Sequence, residues 1–184
     1  NNASDIFLYD IDQKQIQRVS VNSLGQPSDG NSFAPALSGD GRYIAFESLA
    51  TNLSANDTSP FSKIFVHDHL TQQTYLVSVA INGNVNGHSF APSISADGHY
   101  VAFESQATNL VSTDINAASD IFIRDLQTNQ TTLISHNANQ EQGNADSLLP
   151  TVSGDGRYVL FNATATNLVA NDSNGVFTGE DILG

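Results

Sequence analysis

Short apolar runs separated by polar turns recur along the whole chain. In each unit a first run leads to a Ser-x-Asp-Gly turn, and a second run reads Tyr-Ile/Val-Ala/Leu-Phe without polar alternation. A third run reads Ile-Phe-x-x and ends on aspartate, and a fourth alternates polar and apolar residues. Unbroken apolar runs are expected of strands covered on both faces, and alternation of a strand with one wet face. The pattern therefore predicts four short strands in each unit and very little helix.

The predicted strands fall at matching places in successive units. The first complete unit begins with a strand at 33–37. Second strands are predicted at 43–46, 100–103 and 158–161, third strands at 6–9, 64–67 and 121–124, and fourth strands at 16–20, 74–78 and 131–135. The Asp-Gly pair between the first two strands is a strong hairpin signal, because glycine tolerates a positive φ.

The spacing of these units identifies an internal repeat. Asp40, Asp97 and Asp155 are 57 and 58 residues apart, and a fixed period of this size is typical of units that bury their apolar faces against each other. Four antiparallel strands with covered central strands favour a propeller blade over stacked sandwich repeats or a solenoid. We predict an all-β β-propeller fold of ~57-residue blades: a half blade at 1–31, blades at 32–88 and 89–146, and a half blade at 147–184.

The repeated residues also resemble a known family. Ser-x-Asp-Gly-Arg/His-Tyr-Val/Ile-x-Phe, followed by Ala-Thr-Asn-Leu and Asp-Ile-Phe-x-x-Asp, is similar to the WD-like β-propeller repeat of TolB-type periplasmic proteins. The resemblance covers nearly the whole chain. It implies a propeller fold and a periplasmic or extracellular bacterial location. It implies little about activity, since the family includes partner-binding scaffolds and gating propellers of enzymes.

Three blade equivalents are fewer than the ~4 to 8 blades of closed propellers. We therefore expect the chain to be a fragment of a larger propeller or half of a homodimer with six blades. In the dimer, the N-terminal strands of one copy would complete the last blade of the other.

Charge limits the partners. The chain has 19 acidic and 6 basic residues, a formal net charge of -13 and no cysteine. This charge repels phosphate backbones, so nucleic-acid binding is not expected. No apolar run reaches the ~18 residues of a membrane span. The abundance of Asn, Ser and Thr and the scarcity of Lys are typical of a secreted or periplasmic protein.

Acidic loops between the second and third strands are candidate calcium sites. In the clearest copy, oxygen-bearing side chains occupy the first, third and seventh positions of 114–120, which suits the six to eight oxygen ligands of calcium. The middle copy instead has Lys63, whose ammonium could neutralise Asp57. The rival interpretation is an Asx turn, in which these side chains bond their own backbone. The candidate ligands are Asp114, Asn116, Ala118, Asp120, Asp172 and Asn174.

Motifs for catalysis are missing. There is no Gly-x-Ser-x-Gly elbow, glycine-rich phosphate loop or His-Glu-x-x-His motif. His67 and His69 flank one aspartate and are better explained as surface or interblade residues than as metal ligands. Glu47 and Glu104 occupy matching repeat positions, and a residue that repeats with the blade is expected to be structural rather than catalytic. We expect no enzyme activity from this chain.

Function is therefore expected to lie in the loops. Residues 21–31, 79–88 and 136–146 are long, polar and variable between copies, as binding loops on a rigid scaffold are. The leading hypothesis is a non-catalytic scaffold that presents these loops to a protein or glycan partner and is stabilised by calcium. The alternative is the gating or substrate-binding propeller of a hydrolase whose catalytic domain lies outside this chain.

Overall fold

The computed structural model describes residues 2–55 and 58–170. This part of the chain contains twelve strands and no helix, and hence no helix that could cross a membrane. The strands are β1 (Phe7–Asp10), β2 (Gln15–Arg18), β3 (Ser32–Leu37), β4 (Tyr43–Ser48), β5 (Lys63–Asp68), β6 (Gln73–Leu76), β7 (Ser89–Ile94), β8 (Tyr100–Ser105), β9 (Asp120–Asp125), β10 (Gln130–Leu133), β11 (Ser147–Val152) and β12 (Val159–Ala163).

The strands form two complete and two partial antiparallel sheets. One complete sheet has the order β3-β4-β5-β6, the other β7-β8-β9-β10, and each connects neighbours along the chain. The partial sheets are β1-β2 and β11-β12. We call these β1-β2 sheet 1, β3 to β6 sheet 2, β7 to β10 sheet 3 and β11-β12 sheet 4. The predicted all-β class and four-stranded blades are confirmed, whereas the predicted domain bounds stay a prediction.

The fourth strands end earlier than the alternating pattern predicts. The sequence places the end of one at Ser78, but β6 ends at Leu76. Ser78 Oγ accepts a hydrogen bond from the Ile64 N–H at 3.0 Å, and Ser135 does the same for Ile121 at 3.1 Å. A serine side chain therefore replaces the last ladder bond, because local side-chain bonds compete with a sheet.

The Ser-x-Asp-Gly turn is held by its own side chains. Ser38 Oγ donates to Asp40 Oδ1 at 2.6 Å and accepts from the Tyr43 N–H at 2.9 Å. Gly41 closes the turn at a φ of 76°, a conformation that glycine adopts without steric cost. The hydrogen bond from Ser38 and the one from the Arg42 N–H lower the pKa of Asp40. The same turn recurs at Asp97 and Asp155.

Apolar faces of successive sheets pack on each other. Ile6 and Val19, which directly flank the strands of sheet 1, form a buried cluster with Phe46 and Phe65 of sheet 2, whose rings lie 5.9 Å apart. Sheets 2 and 3 share a second cluster that includes Val66 and the residues of a second ring pair, Phe103 and Phe122. Each buried ring stabilises the fold by about 1.5–3 kcal/mol relative to an exposed one.

Turns of successive sheets are also joined at their backbones. Gly39 N–H donates to the Ala96 carbonyl at 2.9 Å, and Ala96 N–H donates to the Gly154 carbonyl at 2.9 Å. Beside this link, the ring of Tyr43 covers Gly98 so closely that a Cβ on Gly98 would overlap it. Tyr100 covers Gly156 in the same way. Sheets 2 and 3 therefore each place a tyrosine over a glycine of the sheet that follows.

Gly98→Ala should destabilise the protein more than Gly25→Ala. Both glycines have a positive φ, of 71° and 77°, but nothing lies within 4 Å of a Cβ on Gly25. Gly25→Ala should cost about 1 kcal/mol of unfolding free energy through backbone strain alone. Gly98→Ala should cost about 1–3 kcal/mol more, because the methyl group displaces Tyr43. Denaturant titration measures both, and equal losses would contradict the tyrosine-over-glycine contact.

Candidate functional site

The loops that follow the second and fourth strands interlock along one edge of the sheets, which we call the rim. Asn52 Nδ2 donates to the Pro27 carbonyl at 2.8 Å, and Asn52 Oδ1 accepts from the Asp29 N–H at 3.1 Å. Asn109 and Asn167 clip their neighbouring loops in the same way. These residues are the asparagines of the repeated Ala-Thr-Asn-Leu motif, so the motif fixes the loops predicted to bind partners.

The structure brings three of the predicted calcium ligands together on this rim. The side-chain amide of Gln142 donates from Nε2 to Asp114 Oδ1 at 2.9 Å and to Asp120 Oδ2 at 2.7 Å. Asp120 Oδ1 accepts from Ser135 Oγ at 2.5 Å. Gln142 therefore bridges two carboxylates that lie on either side of it.

Asn116 shows the Asx-turn geometry of the rival interpretation. Its Oδ1 accepts from the Ala118 N–H at 2.8 Å, and its Nδ2 donates to the Gly143 carbonyl at 2.9 Å. Of the remaining predicted ligands, Ala118 takes part in this turn through its N–H, and Asp172 and Asn174 lie outside the described residues. Within 2–55 and 58–170 no group of three or more His, Cys, Asp or Glu side chains could hold a metal. A cation here would thus depend on the two carboxylates together with amide and backbone oxygens.

Burial disfavours the ionised forms of both carboxyl groups. Asp114 and Asp120 are both buried, and desolvation raises the pKa of each. The hydrogen bonds from Ser135 and Gln142 oppose that rise at Asp120, and the nearby charge of Asp114 adds to it. A positive ion would favour the ionised forms, as would any added donor.

The other copies anchor the equivalent position differently. Lys63 is fully buried and its Nζ donates to the carbonyls of Ser59 at 2.8 Å and Phe61 at 3.0 Å. Asp57, the partner expected for Lys63, lies outside the described residues. In the first copy, Asp5 accepts from Ser20 Oγ at 2.7 Å and lies 3.5 Å from Arg18 Nε. The charged side chain at the repeat position of Asp120 is therefore stabilised by different partners in each of the three copies.

Glu47 and Glu104 link neighbouring sheets. Glu47 Oε1 accepts from Ser62 Oγ at 2.8 Å within sheet 2, and the Glu47 carboxylate also accepts a hydrogen bond from the backbone of Ala91 in sheet 3. Glu104 Oε2 accepts from the Leu149 N–H of sheet 4 at 3.3 Å. Leu149 lies in a bulge with a φ of 55°, which turns its N–H towards the carboxylate. Burial raises the pKa of both glutamates. Their contacts agree with the structural role predicted from the repeat.

His67 and His69 differ in their burial. His67 is buried and its Nδ1 lies 2.9 Å from Thr74 Oγ1, whereas His69 is exposed in the turn after β5. Desolvation lowers the pKa of His67. Neither histidine belongs to a group of three or more possible metal ligands among the described residues.

Gln142 is the site residue that sequence reasoning missed. Its repeat position is not constant, because Val85 stands 57 residues earlier. The pairing is nevertheless consistent, since apolar Val85 accompanies Lys63 and the amide accompanies Asp120. A comparison of the repeat positions of Asp120 and Gln142 across the copies would have indicated that these two side chains interact.

Comparison with known proteins supports the architecture. The chain matches TolB from Acinetobacter baumannii at 21% identity and a TM-score of 0.52, over 86% of this chain and 32% of that one. It matches the tricorn protease at 16% identity and 0.52, over 85% and 13%. It matches a protein assigned as TolB from Agrobacterium tumefaciens at 17% and 0.50, over 86% and 50%.

The chain thus spans less than two thirds of each of these structures. No protein-family model and no curated protein matches the sequence. At this level of identity the likeness shows the fold, which is that of β-propeller blades.

Asp114→Asn should stabilise the protein at neutral pH. Because the pKa of Asp114 is raised on folding, the wild-type carboxyl favours the native state below pH ~3.8 and loses that contribution as the pH rises through its folded pKa. Asparagine keeps an acceptor for Gln142 without the charge. In chelator at pH 7 the midpoint of thermal unfolding should rise by about 2–4 °C, and the gain should vanish below pH ~4.

Asp155→Asn provides the opposite case. The hydrogen bond from Ser153 lowers the pKa of Asp155, so its contribution is present above pH ~3.8 and is lost as the pH falls. This substitution should lower the midpoint at pH 7. A gain for Asp114→Asn that does not depend on pH would contradict the electrostatic account.

Proposed function

We propose that this stretch of β-propeller is a scaffold that binds a partner protein through its rim. The proposal rests mainly on the clipping of the rim loops by Asn52, Asn109 and Asn167, which gives variable loops a fixed backbone. A rigid loop loses little conformational entropy on binding. The entropy cost therefore offsets less of the binding free energy that its exposed side chains contribute.

Exposed apolar side chains on the rim favour a protein over a glycan. Leu24, Ile81 and Ile115 project from three different rim loops with 85%, 54% and 86% of their surfaces exposed. Side chains of this kind form the centres of protein interfaces, whereas sugar rings stack on aromatic faces. Phe61 lies edge-on to His88 at 5.1 Å and is partly covered, and the chain has no tryptophan. A glycan partner is the weaker of the two proposals.

A gating or substrate-binding propeller of a hydrolase is the second candidate. The match to 13% of the tricorn protease shows that a comparable sheet arrangement occurs within a much larger enzyme. In that case the catalytic groups would belong to a part of the protein other than these blades. Absence of catalytic activity in the chain itself stays a prediction, as does a periplasmic or extracellular location, which composition supports.

We propose calcium as a stabilising ligand of the 114–120 loop. Two buried carboxylates lie within reach of one amide, and their mutual repulsion is the cost that a divalent cation would remove. To admit the ion, the Gln142 amide would turn its oxygen inward. That movement would break the 2.9 Å hydrogen bond that its Oε1 now accepts from the Ile115 N–H.

A rim variant should lose partner binding. The triple substitution of Leu24, Ile81 and Ile115 by aspartate keeps the fold, because all three side chains are exposed. It should reduce capture of the partner from a cross-linked envelope fraction of the source organism at least tenfold relative to the wild-type chain. The matched control is Leu70→Asp, which changes an equally exposed leucine in a turn at the opposite edge. Equal loss with Leu70→Asp would overturn the rim as the binding face.

Calcium should raise the unfolding midpoint through this loop. At millimolar calcium the wild-type chain should gain a few degrees, by the linkage between ligand binding and folding. Asp120→Asn should abolish the gain, whereas Asp97→Asn, in an acidic turn of the opposite edge, should retain it. A wild-type midpoint that is unchanged by calcium would remove the ion from the account, leaving Gln142 as the bridge.

A further inference from the structure

The three rim loops that follow fourth strands differ in how their tips are braced. In the first loop, the side-chain oxygen of Asn22 accepts hydrogen bonds at 3.0 Å from two backbone N–H groups of the same loop. Asn137 accepts two such bonds in the third loop. Ala80 takes the corresponding position in the second loop, 58 residues after Asn22, and alanine has no side-chain acceptor. The loop at 79–88 therefore lacks this brace.

The second loop is instead held at two points that flank its tip. The Ile81 N–H donates to the Asn109 carbonyl at 2.9 Å, and Asn109 Nδ2 donates to the Asn84 carbonyl at 2.9 Å. Between these anchors lie Asn82 and Gly83, which are both exposed. Within the part of the chain that the structure describes, neither the Asn82 side chain nor the Gly83 N–H forms a hydrogen bond.

An Asn-Gly pair that is free in this way is chemically reactive. The backbone nitrogen of the glycine attacks the side-chain carbonyl carbon of the asparagine, because glycine has no Cβ to hinder the approach. The new C–N bond closes a succinimide ring, and the side-chain nitrogen leaves as ammonia with the proton of the backbone N–H. Water then opens the ring at either carbonyl, which gives aspartate or isoaspartate. Nothing lies within 4 Å of a Cβ on Gly83, so there is room for this ring.

A second Asn-Gly pair in the same loop is protected by the fold. Asn86 Nδ2 donates to Thr108 Oγ1 at 2.8 Å, and Asn86 Oδ1 accepts from the Thr108 N–H at 2.9 Å. Gly87 is buried, and a Cβ on it would lie 2.6 Å from the backbone of Gln106. The amide of Asn86 is therefore held at both of its polar atoms, beside a glycine that has no room to move.

The Asp-Gly pairs of the described residues are also held by hydrogen bonds. Asp29 Oδ2 accepts from Thr51 Oγ1 at 2.7 Å. Asp40, Asp97 and Asp155 each accept from a serine hydroxyl of their own turn. Among the Asn-Gly and Asp-Gly pairs in 2–55 and 58–170, Asn82-Gly83 alone has a side chain without a hydrogen bond.

We propose that Asn82 is a site of spontaneous covalent modification, at which the Gly83 nitrogen displaces the side-chain amide and water converts the product to aspartate and isoaspartate. The reaction needs no reagent other than water. The fold selects the site, because Asn86-Gly87 has the same sequence but a bonded amide. The missing brace at Ala80 leaves Asn82 as the reactive member of the two pairs.

The modification changes the rim next to Ile81. It places a negative charge in the loop at 79–88, which otherwise contains no Asp, Glu, Lys or Arg. Isoaspartate also adds a methylene group to the main chain between two points that Asn109 holds. Partner capture should therefore decline as the protein ages. This consequence rests on the proposed rim function, whereas the modification itself does not.

Peptide mass spectrometry of the folded chain and of the chain in urea tests the selection by the fold. At mildly alkaline pH, the folded chain should convert the amide of Asn82 to a carboxyl group at least tenfold faster than that of Asn86, because Asn86 must first break two hydrogen bonds. In urea, which unfolds the chain, the two pairs should react at similar rates. Asn82→Gln is the matched control and should leave the slow reaction at Asn86 unchanged.

Equal rates at Asn82 and Asn86 in the folded chain would overturn the proposal, as would a folded Asn82 that stays intact while it reacts in urea. Partner capture by the aged wild-type chain, compared with the equally aged Asn82→Gln variant, is a separate measurement. Conversion at Asn82 without loss of capture would contradict the role of Ile81 on the rim and leave the modification site established.

Discussion

Burial of both faces of each sheet is the constraint on which the structure depends. The central strands carry apolar side chains on either side, and Phe46, Phe65 and Phe103 are completely buried only because another sheet covers them. A single blade cannot satisfy this requirement, so stability is a property of the stack. The tyrosine-over-glycine contacts, the turn-to-turn hydrogen bonds and the glutamate links all act at the same junctions. They fix how one sheet is placed on the next once burial has brought the sheets together.

The same constraint explains which parts of the sequence repeat. Tyr43, Glu47 and Asn52 recur because each has a partner in the neighbouring sheet or loop, and such a partner exists at each internal junction. Other positions vary between copies, including exposed Leu24 on the rim and Gln142, which bonds the acidic loop from the separate loop 136–146. Function is accordingly sought in the residues that differ between copies, on a frame defined by those that do not.

Much of this fold could be predicted from the sequence, since period, turn chemistry and uninterrupted apolar runs depend on neighbours close along the chain. The strand bounds were less accessible: Ser78 ends a ladder by bonding a strand fourteen residues away. The acidic loop was predicted as a set of oxygens, but its electrostatic partner Gln142 approaches from a separate loop and has no constant repeat position. Positive φ at Leu149 was equally hidden, because the bulge is stabilised by Glu104 of another sheet.

Native-state hydrogen exchange tests directly whether the sheets are stabilised by packing on each other. If mutual burial is the source of stability, the amides of Val66 in sheet 2 and Phe103 in sheet 3 should exchange with the same opening free energy and respond equally to denaturant, because both open only when the stack comes apart. Exchange of the two sheets as separate units, each with its own denaturant dependence, would contradict this account.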